Sequence, residues 1–525
     1  MKKTAFLVTL LIVSTFMGCK QKSRSQTEIP AKNISLYANP VIPGDFADPS
    51  VIRVANTYYA IGTSSEWAPH FPIFTSKDLV NWTQTTYAFE KTPKWASSSF
   101  WAPELFYYNN TFYLYYVARR KSDGVSYIGV ATTKNIENGF KDHGVLIEYG
   151  SEAIDPFVME DNGNLYISWK AYGLDERPIE LLAAKLSNDG LKLVGDPFTI
   201  LKDGNLRGIE GQYMVKKDGF YYLFYSEGAC CGSKCDYDVR IARSKTLQGP
   251  YEKYTKNPIL TANNTWKCPG HGTMVKTTEG KWVYMYHAYS QKSDIYTGRQ
   301  GLIDEIVWDE KTGWPIPKSN VAPSKQNESP YNSVQNIASG FHDDFNNNEL
   351  NKSWQWDFRN AVPNVTIDNG KLLLSGQTKE TNLAGTALTV RPFYGNYTIE
   401  AGISNKNESL KGLTVYGDAN QCLGLGVVDN NIIAWQVKNN ERKVLSTVSI
   451  EGYKMLQLKI SMKNNECHFY WKDEGNWKPI KLEGESTING AFLPQWDRSP
   501  RPGLIQYGKS EKPAMFDYFK IAYNP

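Results

Sequence analysis

Apolar and polar positions alternate along most of this chain, and one short phrase recurs through the alternation. Ile209-Glu210-Gly211 opens a copy, Asp218-Gly219 makes a turn, and Phe220-Tyr221-Tyr222-Leu223-Phe224-Tyr225 follows as an apolar and aromatic run. Asp48-Pro49 leads in the same way to Tyr58-Tyr59-Ala60-Ile61-Gly62, and Ala102-Pro103-Glu104 to Phe112-Tyr113-Leu114-Tyr115-Tyr116. Asp155-Pro156 leads to Tyr166-Ile167-Ser168-Trp169, and His271-Gly272 to Trp282-Val283-Tyr284-Met285-Tyr286. The opening positions 48, 102, 155, 210 and 271 are 54, 53, 55 and 61 residues apart. Alternation of period two predicts strands, and strand-rich units repeating at about fifty residues predict a propeller with one blade per unit. The second unit has room for four strands, at Ala102–Tyr108, Thr111–Ala118, Tyr127–Thr132 and Val145–Tyr149. Turn signals at Asn109-Asn110 and Asp123-Gly124 separate the first three. No stretch carries a convincing helical period, so the fold class is all-β.

The blade phrase stops near Trp314-Pro315-Ile316-Pro317. Residues 321–340, with Pro, Ser, Asn and Gln and no periodic pattern, read as a linker. From 341 to 525 alternation resumes at Lys371–Leu374, Tyr397–Ile403, Leu413–Tyr416, Ile432–Val437, Leu456–Met462 and His468–Trp471. These runs hold no copy of the blade phrase and predict a β-sandwich. The expected order is a five-bladed propeller over 33–320, the linker, and the sandwich over 341–525.

The first residues stand apart from this pattern. Lys2 and Lys3 precede an apolar run from Ala5 to Met17, then Gly18-Cys19. The run is too short for a transmembrane span and reads as a targeting segment, 1–19, followed by a polar tether, 20–32. Its ending resembles a bacterial lipoprotein signal with Cys19 as the lipidated residue; an ordinary secretory signal is the alternative. Both readings export the protein. The expectation is a monomer in the bacterial cell envelope, touching the membrane through a lipid anchor only.

Charge changes little. Lys plus Arg number 58 against 54 Asp plus Glu, a net +4 that gives no reason to expect a nucleic-acid partner. Aromatic residues reach 13%, with 33 Tyr and 15 Trp; strands explain most of them, and stacking on sugar faces would use the rest. Of seven cysteines, six remain if Cys19 carries lipid. Cys230, Cys231, Cys235 and Cys268 fall in the repeats and Cys422 and Cys467 beyond them. Cys230–Cys231, Cys231–Cys235 and links to Cys268 are all open pairings, and the spacing fits no common zinc module.

In a propeller the innermost strand of each blade runs along the central channel, so equivalent positions form a ring. Here that ring is Asp48, Ala102, Asp155, Glu210 and His271. One acid before Pro or Gly is an ordinary turn residue; three acids at one repeat position are not what independent turns would arrange. Carboxylates crowded at a channel mouth desolvate and repel one another, which suits catalysis better than stability. Glu104 is left out of this set because it could point into its blade.

The motifs Asp45-Phe46-Ala47-Asp48-Pro49-Ser50, Trp101-Ala102-Pro103-Glu104, Ile154-Asp155-Pro156, Ile209-Glu210-Gly211 and Gly270-His271-Gly272 together resemble glycoside hydrolase family 43. Gly298-Arg299-Gln300, Ile306-Val307-Trp308-Asp309 and Gly313-Trp314-Pro315 match its closing region, and the C-terminal part resembles a concanavalin-like sandwich. The resemblance implies hydrolysis with inversion, Asp48 as general base, Glu210 as general acid and Asp155 tuning the acid's pKa. It implies that Phe46 and Trp101 pack on the sugar and that Arg299 reaches substrate hydroxyls or holds the acid. Inversion predicts roughly 6.5–9.5 Å between the two carboxyl groups. His271 has two readings: a weakly held calcium ion with mostly water ligands, or a hydrogen bond within the channel. No cofactor is required. The favoured substrate is a pentose-containing plant glycan, with release of terminal α-L-arabinofuranose ahead of β-xylosidase or endo-arabinanase action. A carbohydrate-binding lipoprotein without turnover is the reading from another class. Gln212 departs from the family, which often has proline there, and the Cys230-Cys231 loop resembles one in arabinan-active relatives.

Overall fold

The computed structural model describes Met1 and residues 34–171, 178–292, 297–319, 321–484, 486–508 and 511–524. The targeting segment and tether lie outside these residues, apart from Met1. No helix among the described residues is long and apolar enough to cross a membrane.

Five four-stranded antiparallel sheets form the first part. Blade 1 is Ser50–Val54, Thr57–Ile61, His70–Ser76 and Thr83–Phe89; blade 2 is Ala96–Tyr108, Thr111–Arg120, Ser126–Thr133 and Lys141–Ile147. Blade 3 is Ala153–Asp161, Asn164–Ala171, Glu180–Leu186 and Leu193–Lys202; blade 4 is Ile209–Lys217, Phe220–Glu227, Asp238–Ser244 and Glu252–Lys253. Blade 5 is Trp266–Lys276, Trp282–Ser290, Arg299–Trp308 and Pro315–Pro317. The first strand of each blade touches the first strand of the next, and Trp266–Lys276 returns to Ser50–Val54, so the ring closes. Alternation buries one face of each strand against the neighbouring blade. Trp169, Ile167 and Leu182 of blade 3, for example, share a core cluster with Tyr115 and Val117 of blade 2.

The propeller is a repeat in backbone conformation as well as in sequence. Asp48, Ala102, Asp155, Gly211 and His271 all have positive φ, between 38° and 59°. In blades 2 to 5 a register shift follows or flanks this residue, the mark of a β-bulge that re-aims side chains next to a channel. In blade 4 the left-handed residue is Gly211, so the backbone ring is one residue out of step with the acid at 210. Gly211 has no freedom here, because a Cβ would stand 2.8 Å from Cγ of His271.

The second part is a sandwich of a nine-stranded and an eight-stranded sheet. Its core contains Trp354, Leu388, Ile399, Leu413, Leu425 and Phe519, all buried. The two parts are sewn together. Trp67–Ala68, from blade 1, pairs with Trp354–Asp357 and becomes the edge strand of the eight-stranded sheet. Trp67 is buried among Tyr416, Trp435 and Ile505 of the sandwich. Within 321–340, read from sequence as a linker, Gln326–Glu328 pairs with Leu36–Ala38. Tyr331 of the same segment hydrogen-bonds Tyr58 of blade 1.

Of the open cysteine pairings, two form: Cys230–Cys231, and Cys235–Cys268. Cys422 and Cys467 are free thiols buried in the sandwich.

Candidate active site

The channel mouth opens into a cavity of about 300 Å³ that reaches from blade 1 to the sandwich. Asp48, Asp155, Glu210, His271 and Arg299 all line it, as do Trp101 and Ala102. Each acid comes from a different blade, Asp48 just before the innermost strand of blade 1 and Asp155 and Glu210 at the bulges in those of blades 3 and 4.

Asp48 is the most heavily held. Arg299 Nη1 donates to its Oδ1 at 3.0 Å and Thr63 Oγ1 to its Oδ2 at 2.6 Å. Its backbone N–H donates to His287 Nδ1 at 3.1 Å, and His271 Nδ1 stands 3.5 Å from Oδ1. Burial pushes this carboxyl up, but Arg299 and the two imidazoles outweigh it and hold Asp48 well below the usual carboxylate range. Thr63 Oγ1 also accepts from the backbone N–H of Ala102 at 2.8 Å, which ties blade 1 to blade 2 directly under the acid.

Asp155 is pushed up to about 6, chiefly by burial, with His271 opposing and Glu210 adding to the rise. Its Oδ2 accepts the backbone N–H of Gly211 at 2.9 Å and lies 3.8 Å from His271 Nδ1. Gln212, the departure noted in the sequence, donates its amide to the Asp155 carbonyl. The amide thereby satisfies a carbonyl at the bulge that a proline could not reach.

Glu210 departs from expectation. Lys170 Nζ donates to its Oε2 at 2.9 Å and Tyr237 OH to its Oε1 at 3.1 Å. Burial raises this carboxyl, yet the ammonium of Lys170 more than offsets it, and Glu210 is lowered rather than raised. Repulsion from Asp155 was expected to keep Glu210 protonated. The cation at 2.9 Å wins because its attraction acts through a direct hydrogen bond in a buried site. Lys170 is itself buried and also faces Glu152, 3.6 Å away, another carboxyl lining the cavity.

Phe46 is a correction. It was expected on the sugar but is buried in the core, edge-on to Phe74 at 5.2 Å and in contact range of Gly62 and Gly301. The physical reason is packing: Phe46 fills a core cluster with Val51, Ala60 and Met285, where added Cβ atoms at Gly62 and Gly301 would stand 3.2 and 2.9 Å from its ring. Trp101 does line the cavity, and its indole N–H donates to Asp497 Oδ2 at 3.2 Å. Glu104 crosses from blade 2 to blade 1, where it accepts from Ser50 Oγ at 2.7 Å.

Several site residues escaped the sequence. Lys170 and His287 lie on second strands and Tyr237 just before a third one, away from the repeated phrase. Gly270 is the sign of Tyr237, since a Cβ there would lie 2.0 Å from that ring. Trp496 and Asp497 come from the sandwich: Trp496 meets Trp101 at a ring distance of 6.0 Å, and Asp497 O accepts from Arg299 Nη2 at 3.2 Å. The Cys230–Cys231 bridge lines the opposite rim.

The family model of glycosyl hydrolases family 43 matches residues 37–315, the stretch that carries Asp48, Asp155, Glu210, His271 and Arg299. The chain belongs to glycosyl hydrolases family 43. Residues 342–522 of this family 43 hydrolase match the β-xylosidase C-terminal concanavalin A-like domain. It is 26% identical over 505 residues to a β-xylosidase of Bacillus subtilis (strain 168), covering 85% of this chain and 91% of the relative. It is 29% identical over 325 residues to a xylan 1,3-β-xylosidase of Vibrio sp., covering 56% of this chain and 59% of that relative. Among solved structures, the xylan β-1,4-xylosidase of Bacillus halodurans C-125 superposes with a TM-score of 0.81 at 25% identity, covering 93% of this chain and 100% of that one. As a member of this family the protein is a glycoside hydrolase, acting on glycosidic bonds.

Proposed function

We propose that this family 43 hydrolase is an exo-acting, inverting pentosidase that removes one terminal sugar at a time. The observation that carries the reading is the convergence of Asp48, Asp155 and Glu210 on one small cavity. Its walls, Trp101 from the propeller and Trp496 from the sandwich, favour a chain end over a chain passing through. Asp48, ionised at any working pH, takes a proton from a water as that water's oxygen bonds to the anomeric carbon. Glu210 gives its proton to the departing glycosidic oxygen, and the C–O bond breaks with inversion. Solvent then removes the proton from Asp48 and restores one to Glu210. Arg299 and His287 orient Asp48; Lys170, hydrogen-bonded to Glu210, is the charge that biases its proton most, with Asp155 beside it.

The proposed glycone is β-D-xylose, ahead of the α-L-arabinofuranose favoured by sequence, because the relatives reported above are β-xylosidases and two of them share both domains. The Cys230–Cys231 bridge on the rim supports α-L-arabinofuranose as the second reading. Rates on aryl β-D-xyloside and aryl α-L-arabinofuranoside decide between them. Asp48→Asn and Glu210→Gln are each expected to lower kcat/KM by about 10²–10⁴-fold, and wild-type rates in both would remove the catalytic assignment. Proton NMR of the first-formed sugar should show the inverted anomer.

Calcium on His271 stays a proposal. Among the described residues no group of three His, Cys, Asp or Glu side chains is arranged to hold a metal, so an ion there would draw mostly on water. Activity lost on chelation and regained with calcium supports it; an unchanged rate removes it. Export, lipid attachment at Cys19 and a monomeric state belong to the same proposal, tested by detergent partitioning of wild type against Cys19→Ala and by sedimentation.

A further inference from the structure

Behind the active-site cavity, on the seam between blade 1 and the sandwich, lies a second cavity of about 290 Å³. Arg391 and Arg501 both line it. A guanidinium carries five N–H donors. Arg501 is buried with its guanidinium carbon 4.2 Å from the centre of the Trp67 ring; its one side-chain hydrogen bond among the described residues runs from Nη1 to Gln355 Oε1 at 2.6 Å, and its Nε is buried with no hydrogen-bond partner. Arg391 makes one long bond, Nη1 to the Asp45 carbonyl at 3.3 Å. Among the described residues neither arginine forms an ion pair. The carboxylate facing both is Asp45, and it is already engaged: Oδ1 accepts from the Arg299 N–H and Oδ2 from the Ser499 N–H, each at 3.1 Å.

The two cations also face each other. Burial lowers Arg391 to about 10 and Arg501 to about 9; Asp45 and Tyr87 oppose the fall in both, and Arg391 and Arg498 add to it at Arg501. Two guanidinium groups that share one committed carboxylate leave the cavity electropositive. Phe46, Phe74, Phe341, Phe393 and Tyr523 line it around the arginines, beside polar Thr63, Ser64, Gln84 and Gln355. A further cavity of about 200 Å³ shares Phe74, Trp82, Arg391 and Phe393 with it and extends the space outward.

We propose that this seam cavity is a binding site for a small oxoanion, held by Arg391 and Arg501. Planar forks of N–H donors match a carboxylate or phosphate in two-point contact. The oxoanion is either inorganic phosphate or the carboxylate of a sugar acid whose ring lies on the aromatic walls. Occupancy would stiffen the seam, because Asp45 carries the backbone of Arg299 and Ser499 follows the Trp496-Asp497 corner of the active site.

The test uses the full chain in a buffer without oxoanions. Thermal unfolding is followed against sodium phosphate, sodium glucuronate and, as the ionic-strength control, sodium chloride. Wild type should show a saturable rise in Tm with at least one of the first two, beyond that of chloride. A response to phosphate assigns an inorganic ligand, and a response to glucuronate alone assigns a sugar acid. Arg501→Met should weaken the apparent affinity at least tenfold. A wild type that responds no more than to chloride overturns the site, as does an Arg501→Met variant that responds like wild type. If that variant does not fold, Arg391→Met and calorimetric titration of the wild type with both anions take its place. No saturable heat with either anion would overturn the proposal.

Discussion

Lys170 and Glu210 are 2.9 Å apart in a buried site, and that pair sets the chemistry available to the acid. An ammonium beside a carboxyl favours its ionised form, so Lys170 limits the pH range in which Glu210 carries a proton. Replacing Lys170 with Met removes the cation and raises the Glu210 pKa. The alkaline limb of the kcat/KM–pH profile should therefore move to higher pH, by roughly one unit or more if the buried interaction has its usual strength. The Asp48 limb should stay where it is, since Arg299 and His287 hold that group. An unmoved alkaline limb would show that Lys170 does not govern the proton donor. The ring of acids was legible in sequence because the phrase that carries them is local and repeated. Lys170 was not, because its neighbour in the sheet is Ile154 and its partner sits on the next blade. Nothing along the chain signals that meeting.

Blade 2 supplies a test at the level of the strand. Glu104 sits in the innermost strand of blade 2, buried against Ser50 of blade 1 and the backbone of Val158 in blade 3, and burial pushes it up to about 8. Its ordinary value is near 4.3. The native state thus keeps a proton that the unfolded chain releases, and stability falls as pH rises from about 4.3 towards 8. Glu104→Gln keeps the shape and removes the titration. It should flatten this slope and, at pH 8, exceed wild type in unfolding free energy by about 2 kcal/mol or more, measured by denaturant unfolding at both ends of the range. A wild-type slope in the variant would locate the pH dependence elsewhere. Strand positions were read well from alternation in this blade, where Thr111–Arg120 and Ser126–Thr133 match within two residues. The first strand begins earlier than expected, at Ala96, because register shifts at Ser98 and Trp101 hide its period. Alternation is a sound guide only between bulges.

For the whole molecule, the sequence divided propeller, linker and sandwich by composition, and that division missed the seam. Trp496 and Asp497 complete the active-site wall from a distance of nearly four hundred residues along the chain, through the hydrogen bond from Trp101. Local patterns hold no record of such a contact. Trp496→Ala should therefore raise KM for aryl glycosides about tenfold while changing kcat by less, since it removes a stacking surface and leaves the carboxyls in place. An unchanged KM would assign the wall to the propeller alone.

The strand Trp67–Ala68 has a practical meaning for anyone who wishes to rearrange this protein. It leaves blade 1 and returns to it, yet its indole fills the sandwich and its backbone extends the sandwich's sheet. A stop codon after the last blade would leave that tryptophan in water and its edge unpaired. The sandwich made alone would lose an edge strand and gain a hole the size of an indole. Neither half is a cassette to be traded among catalytic domains, and a chimera that preserves activity must carry both faces of this joint from one parent.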